Sequence, residues 1–390
     1  MKTIGVVTVA RSDYGIYLPL LRKIESDPDL RLHLIVSGMH LSAEFGSTVT
    51  LIEDDGFVIS DRVEMLLSSD SPEGIAKSIG LGTIGFAQLY KRLDVDLLLV
   101  LGDRFDMYAA ALAALPFKIP IAHIHGGEVT HGAIDDALRH SITKLSHLHF
   151  VATKEYARRV EQLGEDPWRI TVTGAPSLDN INSMEPMTRE ELAESYGIKL
   201  HPPPLLVTFH PVTLEYEQVR WQMSELLAAL DESGVPVVFT MPNADTNGRI
   251  IQSVIDEHVR TNASFYSADN LGTLGYFSLM AVSAAMVGNS SSGIIEAPSF
   301  KLPVVNIGSR QSGRIKGENI IDVGYTRSEI LSGIARALDT GFRENLGEKS
   351  NPYDHGGASN LILEKLKNVT LDQKLVLKRF YDGKDASLPA

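Results

Sequence analysis

The chain has 390 residues, no cysteine and a formal net charge of −13. That length exceeds one ordinary core and predicts two domains. The missing thiols exclude disulfides, thiolate catalysis and cysteine-ligated zinc, and the acidity excludes a nucleic-acid partner, whose phosphates select basic surfaces. No apolar run nears the ~18 residues that span a bilayer, and the first apolar run is stopped by Arg11 and Asp13. A cytoplasmic protein without a membrane partner is expected.

In chain order, residues 3–9 predict a buried strand, followed by a loop at Arg11-Ser12-Asp13-Tyr14-Gly15 and a helix over 16–26. Strands are expected at 32–36, 96–101, 121–124, 149–152 and 170–173, with a long helix over 72–92. Short apolar strands separated by amphipathic helices imply a parallel α/β sheet with right-handed crossovers. The alternation pauses after Gly174, and His201-Pro202-Pro203-Pro204 reads as a stiff linker because it cannot continue a helix. It resumes with strands at 205–209, 235–240, 285–287 and 303–307, and helices over 215–231, 249–260, 293–299 and 327–339. The expected architecture is two Rossmann-like doubly wound domains facing a cleft. They occupy 1–180 and 205–370, joined by a linker over 181–204, with a C-terminal helix in 371–390 packing back on the first domain.

Ligands of open parallel sheets sit outside the carboxyl ends of the strands. Asp103 and Arg104 directly follow the strand at 96–101, His125 and Glu128 follow the next, and Asp135-Asp136 opens a helix carrying Arg139 and His140. Carboxylates, histidines and an arginine delivered to one crevice point to acid–base chemistry on an anionic ligand. His123 and His125 are two apart on a strand and so share a side. With His131, His140, His147 and His149 nearby, a metal site is conceivable, yet His147 and His149 fall at the start of another strand. Hydrogen bonding to a carboxylate or to the ligand is the better reading, and neither metal nor cofactor is expected.

Gly80-Leu81-Gly82-Thr83-Ile84-Gly85 spells a dinucleotide fingerprint, but it follows a helical stretch and lacks the distal acidic residue, which excludes that use. Gly288-Asn289-Ser290-Ser291-Ser292-Gly293 follows a strand and precedes a helix. Its serines exceed what a simple cap needs, so it reads as an anion cradle. Arg11 and Arg310 lie in ligand-side loops of different domains and fit a clamped pyrophosphate. His210 is placed similarly and is equally a phosphate donor or a satisfied buried histidine. Asn243 and Asp245 lie in another such loop and are also consistent with plain turn chemistry.

Together these stretches resemble the hydrolysing branch of the UDP-N-acetylglucosamine 2-epimerases, which feeds nonulosonic (sialic-type) acid synthesis. The resemblance is carried by Arg11-Ser12-Asp13-Tyr14, Gly38-Met39-His40, Gly102-Asp103-Arg104, His123-Ile-His-Gly-Gly-Glu128 and Asp135-Asp136-Ala-Leu-Arg139-His140. It continues in His210-Pro211-Val212-Thr213, Pro242-Asn243-Ala-Asp245, Gly288-Asn-Ser-Ser291 and Gly308-Ser-Arg-Gln-Ser-Gly-Arg314, in order over nearly the whole chain. It implies a GT-B type fold, shared with many nucleotide-sugar glycosyltransferases. Arg11, Arg104, His210, Ser290, Ser291 and Arg310 would hold the UDP moiety, Glu296 would accept from the ribose, and Asn243 would line the nucleotide side. Asp103, Glu128, Asp135 and His125 would lie near the sugar. The implied reaction removes the C2 proton, eliminates UDP to a glycal and adds water, releasing the 2-epimer.

Several relatives carry Glu where this chain has His125, which leaves the base between His125 and Asp103. An orienting role for His125 is the favoured reading, since Asp103 and Glu128 offer bases in the same crevice. Non-hydrolysing relatives carry a His-x-Glu-Ala-Gly-Leu-Arg pattern that is missing here, which favours free-sugar release over interconversion of nucleotide sugars. UDP-N-acetylglucosamine is the first expectation for substrate, and its 2,4-diacetamido-2,4,6-trideoxy analogue the second. A glycosyltransferase or a silent nucleotide-sugar sensor shares the fold but needs no carboxylate cluster at C2. A homodimer or homotetramer is expected.

Overall fold

In the computed structural model the first sheet is laid down by β1 (Lys2–Thr8), β2 (Leu30–Ser37), β3 (Ile59–Val63), β4 (Leu97–Leu101), β5 (Ile121–Ile124), β6 (Leu148–Val151) and β7 (Ile170–Val172). The structure describes all residues except 44–47, 70, 132, 213–214, 241–247, 269–270, 347–350 and 384–390. The strands pair in parallel in the order β3-β2-β1-β4-β5-β6-β7. β4 is a continuous run of buried Leu and Val, as a strand covered on both faces requires.

The second sheet comprises β8 (Leu205–Thr208), β9 (Val237–Thr240), β10 (Phe265–Ala268), β11 (Ala285–Gly288), β12 (Val304–Ile307) and β13 (Ile320–Val323). Its order is β10-β9-β8-β11-β12-β13, again all parallel. In both sheets the winding direction reverses once, between β1 and β4 and between β8 and β11. Those reversals are the topological switch points at which such sheets bind ligands.

The chain divides into two units: Met1–Glu128, Asp135–Asp179 and Tyr353–Ala390 form the first, and Val129–Ile134 with Asn180–Pro352 the second. The return to the first unit thus begins at Tyr353, ahead of the expected 371. The helix Ala358–Asn368 supplies Ile362 and Leu366 to the first core. The expected linker over 181–204 is instead folded. It contains the helix Arg189–Tyr196, opened by a capping box between Thr188 and Glu191. Leu192, Ile198 and Leu200 are buried against Leu206 and Met280 in the second unit.

The expected loop at Arg11–Gly15 is also helical, because the helix runs Arg11–Ser26. Asp13 at its third position accepts from the Ala10 and Val9 N–H groups at 2.6 and 3.0 Å, satisfying donors that a helix start leaves open. The decoy glycines at 80, 82 and 85 lie inside the helix Pro72–Tyr90, which Ser71 caps at Gly74 N. No helix among the described residues is long and apolar enough to cross a membrane.

Candidate active site

At the C-terminal end of β4, Gly102 turns the chain with φ 78° and presents Asp103. The carbonyl of Gly102 accepts from His123 Nε2 at 2.8 Å, and His123 Nδ1 lies 3.1 Å from Thr143 Oγ1. Burial pushes the His123 imidazole down to about 3, so the ring is neutral and braces the Asp103 turn from β5.

His125 does not share this environment. β5 ends at Ile124, and His125 adopts φ 65°, a left-handed conformation that ends the strand alternation. Its Nδ1 lies 2.6 Å from Glu128 Oε1, and its Nε2 is buried with no hydrogen-bond partner among the described residues. The shared side expected for His123 and His125 is therefore lost, because the second histidine has left the pleat.

Arg139, on the helix Asp135–Leu145, gathers these groups. Its guanidinium pairs with the Asp103 carboxylate, donates to the His125 carbonyl at 3.0 Å and lies 3.8 Å from Glu128 Oε2. Glu128 is 1% exposed and the Asp103 side chain 20%. Asp135 stands one turn before Arg139, on the same helix face, and is half-buried. Asp103, His125, Glu128 and Arg139 thus form one cluster. Among the described residues no group of three or more His, Asp or Glu side chains is placed to hold a metal ion.

A second polar cluster occupies the β1–β4 switch point. Thr8 Oγ1 donates to Asp13 at 2.7 Å and lies 3.0 Å from His40 Nε2. Burial pushes Asp13 up to about 7 against its hydrogen bonds from Thr8 and Val9, and pushes His40 down to about 4. Arg104 donates to the fully buried Asp106 at 3.2 Å, and burial raises the Asp106 carboxyl. Arg11 occupies the first position of its helix, half-buried. The sequence assigns neither Asp13 nor His40 a role; the helix-capping position of Asp13 is the signal that could have found it.

In the second unit, Asn289 bridges the switch-point strands. Its Oδ1 accepts from His210 N–H at 2.7 Å and its Nδ2 donates to the His210 carbonyl at 2.8 Å. Gly288 must be glycine, since a Cβ there would lie 1.9 Å from the Thr208 carbonyl oxygen. Arg310 and Gln311 both donate to the Asn289 carbonyl, at 3.1 and 2.8 Å. His210, Asn289 and Arg310 therefore meet at the end of β8 and β11.

Ser290 and Ser291 lie beside them, but the helix that follows spans only Ser292–Ile295. The dipole expected of an anion-cradling helix is correspondingly short, and Ser290 Oγ is engaged by Ser292 N–H at 3.3 Å. The buried Glu296 ends this turn. Tyr276 lies beside the hydroxyls of Ser290, Ser292 and Thr208, and burial pushes its phenol up to about 12. Asn243 and Asp245 fall outside the described residues.

Two doubly wound parallel sheets, each with charged and amide side chains gathered at its switch point, define a GT-B-like α/β protein. The model of the UDP-N-acetylglucosamine 2-epimerase family matches residues 22–367, and the chain belongs to that family. It is 38% identical to the GDP/UDP-N,N'-diacetylbacillosamine 2-epimerase (hydrolyzing) of Campylobacter jejuni, over 98% of this chain and 99% of that one. It is 36% identical to the UDP-N,N'-diacetylbacillosamine 2-epimerase (hydrolyzing) of Legionella pneumophila, over 97% and 99%. Its fold matches the crystal structure of UDP-GlcNAc 2-epimerase from Neisseria meningitidis bound to UDP-GlcNAc, with a TM-score of 0.78 at 17% identity, covering 94% of this chain and 99% of that chain.

Proposed function

We propose that this protein is a hydrolysing UDP-sugar 2-epimerase that prefers UDP-N,N'-diacetylbacillosamine, the 2,4-diacetamido-2,4,6-trideoxy sugar, over UDP-N-acetylglucosamine. The sugar preference is supported by the two relatives of 38% and 36% identity, both named for N,N'-diacetylbacillosamine, the first as its GDP or UDP derivative and the second as its UDP derivative. It reverses the order of the two substrates expected from sequence.

The chemistry rests on the His125–Glu128 pair. Glu128 is spent on His125 Nδ1 at 2.6 Å, leaving Nε2 as the open basic atom. A carboxylate that holds one ring nitrogen fixes the tautomer that exposes the other as a base. His125 Nε2 takes the C2 proton; the C2–H electron pair forms the C1=C2 bond, and the C1–O bond breaks with UDP as the leaving group. Water then adds at C1, and a proton returns to C2 from the opposite face, with Asp103 and Asp135 as the carboxyls that make these transfers. Arg11, Arg104, His210, Ser290, Ser291 and Arg310 hold the UDP moiety, Glu296 the ribose and Asn243 the nucleotide side. No cofactor takes part.

Mass spectrometry of products formed in heavy water from both UDP sugars tests this reading. UDP and a 2-epimerised sugar carrying deuterium at C2 are expected, faster from the diacetamido substrate. Unepimerised, unlabelled sugar would mean simple hydrolysis, and UDP release only with an acceptor would mean a transferase. We also take the chain to be a homodimer or homotetramer. Leu81 and Ile84 stand exposed on the helix Pro72–Tyr90, and sedimentation velocity reads the mass directly.

A further inference from the structure

We infer that Arg314 is a positioning residue through which nucleotide occupancy of the 308–314 stretch sets the His125–Glu128 pair. This rests on the functional reading above and adds a device to it. Val129–Ile134 lies in sequence between two segments of the first unit, yet belongs to the second. What holds it there includes Arg314, whose Nε donates to the Val129 carbonyl at 3.0 Å and whose Nη2 donates to Thr130 Oγ1 at 3.3 Å. Val129 and Thr130 are buried. Gly313, at φ 78°, lets the two segments approach; a Cβ there would sit 2.9 Å from both His131 Cε1 and Val129 Cγ2.

The other end of the stretch is equally tied. Glu215 accepts from Ser309 Oγ at 2.7 Å and from Tyr325 OH at 2.9 Å. Between the two anchors, Arg310 and Gln311 rest on the Asn289 carbonyl. The stretch is a short bracket: one end is fixed by Glu215, its middle faces the switch point, and its far end grips Val129. Arg310 Nε is buried without a partner among the described residues, so this guanidinium has capacity left for an anion. A diphosphate that draws on Arg310 loads the bracket, and Arg314 passes the load to Val129. The next residue back along the chain is Glu128, which orients the base.

The test uses UDP as probe, with amide hydrogen exchange, calorimetry and steady-state kinetics. In the unsubstituted protein UDP slows exchange in peptides covering both 308–314 and 129–134. In Arg314→Ala, UDP affinity stays within about threefold and protection at 308–314 persists, but protection at 129–134 is lost. There kcat falls about tenfold or more while KM moves less than about threefold, the signature of an interaction acting on the reacting state rather than on binding. Arg314→Lys recovers part of both signals, because one ammonium still reaches one carbonyl.

Equal protection of 129–134 by UDP in Arg314→Ala overturns the inference. So does a loss of UDP affinity in step with turnover, which would make Arg314 a nucleotide ligand. If UDP protects only 308–314 in the unsubstituted protein, the coupling fails and the functional reading stands. If UDP protects nothing anywhere, both fall.

Discussion

Replacing Arg139 by Met removes the group that gathers Asp103, the His125 carbonyl and Glu128. Its side chain is 3% exposed, so the partners left behind cannot all turn to water. Breaking a buried charge pair by deleting one member costs about 3–5 kcal/mol. Asp103 is 20% exposed and regains some hydration, and Glu128 keeps His125 at 2.6 Å. Both reliefs place the expected cost at the lower end, about 3 kcal/mol. Arg139→Lys keeps the charge, but one ammonium cannot serve a carboxylate and a carbonyl together, and about half the loss is expected. Because two units need not unfold together, hydrogen exchange of the 121–128 segment is the proper measure. Its opening free energy should fall by the stated amounts, and turnover should drop about 10²-fold as the acid–base groups lose alignment. An opening free energy changed by less than about 1 kcal/mol, or turnover retained in Arg139→Met, refutes the reasoning.

His125→Gln should lose about 10²-fold or more in turnover with UDP affinity intact, since an amide cannot take a proton; appreciable activity would return His125 to an orienting role. Arg310→Ala should weaken UDP binding about ten- to a hundredfold, the worth of a charge-assisted hydrogen bond or two, as calorimetry with UDP reads. Glu165 governs a separate pH response. Burial opposes its ionisation, but His149, Lys144 and Lys378 outweigh burial and hold the carboxyl at about 2 against an ordinary 4.5. A depressed carboxyl contributes stability that is complete above pH 4.5 and lost as pH falls towards 2, here about 3 kcal/mol. Glu165→Gln should lack this acid-dependent portion in urea unfolding measured between pH 5 and 2.5, and an unchanged pH slope would count against it.

Most of the alternating α/β plan is legible in the sequence because central strands such as β4 are unbroken apolar runs. β3, β10 and β13 escape such reading, and all three are edges of their sheets. Edge strands are covered less, so residues such as Asp61, Ser267 and Asp322 interrupt the apolar signal. The Arg11 segment misleads for a related reason: its cap is a carboxylate inside the first turn rather than a serine before it. Asp103, His125 and Glu128 are findable as charged residues at strand ends. That Arg139 binds them together is a matter of helix placement, and the left-handed backbone of His125 cannot be read from its identity, since positive φ is uncommon for any residue but glycine. Asn289 could have been suspected as the one amide in a serine–glycine loop, but its bridge to His210 joins residues far apart in the chain.

The late return of the chain to the first unit has a consequence for how the protein is made. Lys2 donates to the carbonyls of Leu366, Lys367 and Val369, and Ile362, Leu366, Val369 and Leu375 complete the core around β1 and β2. A ribosome that has released the first 180 residues has therefore not yet supplied the helix that seals them. The second unit, most of which lies in one continuous stretch, can close while the first still waits with apolar surface uncovered. Arrest of synthesis before residue 353 should leave a nascent chain whose later half is protected and whose beginning is open to chaperones and proteases.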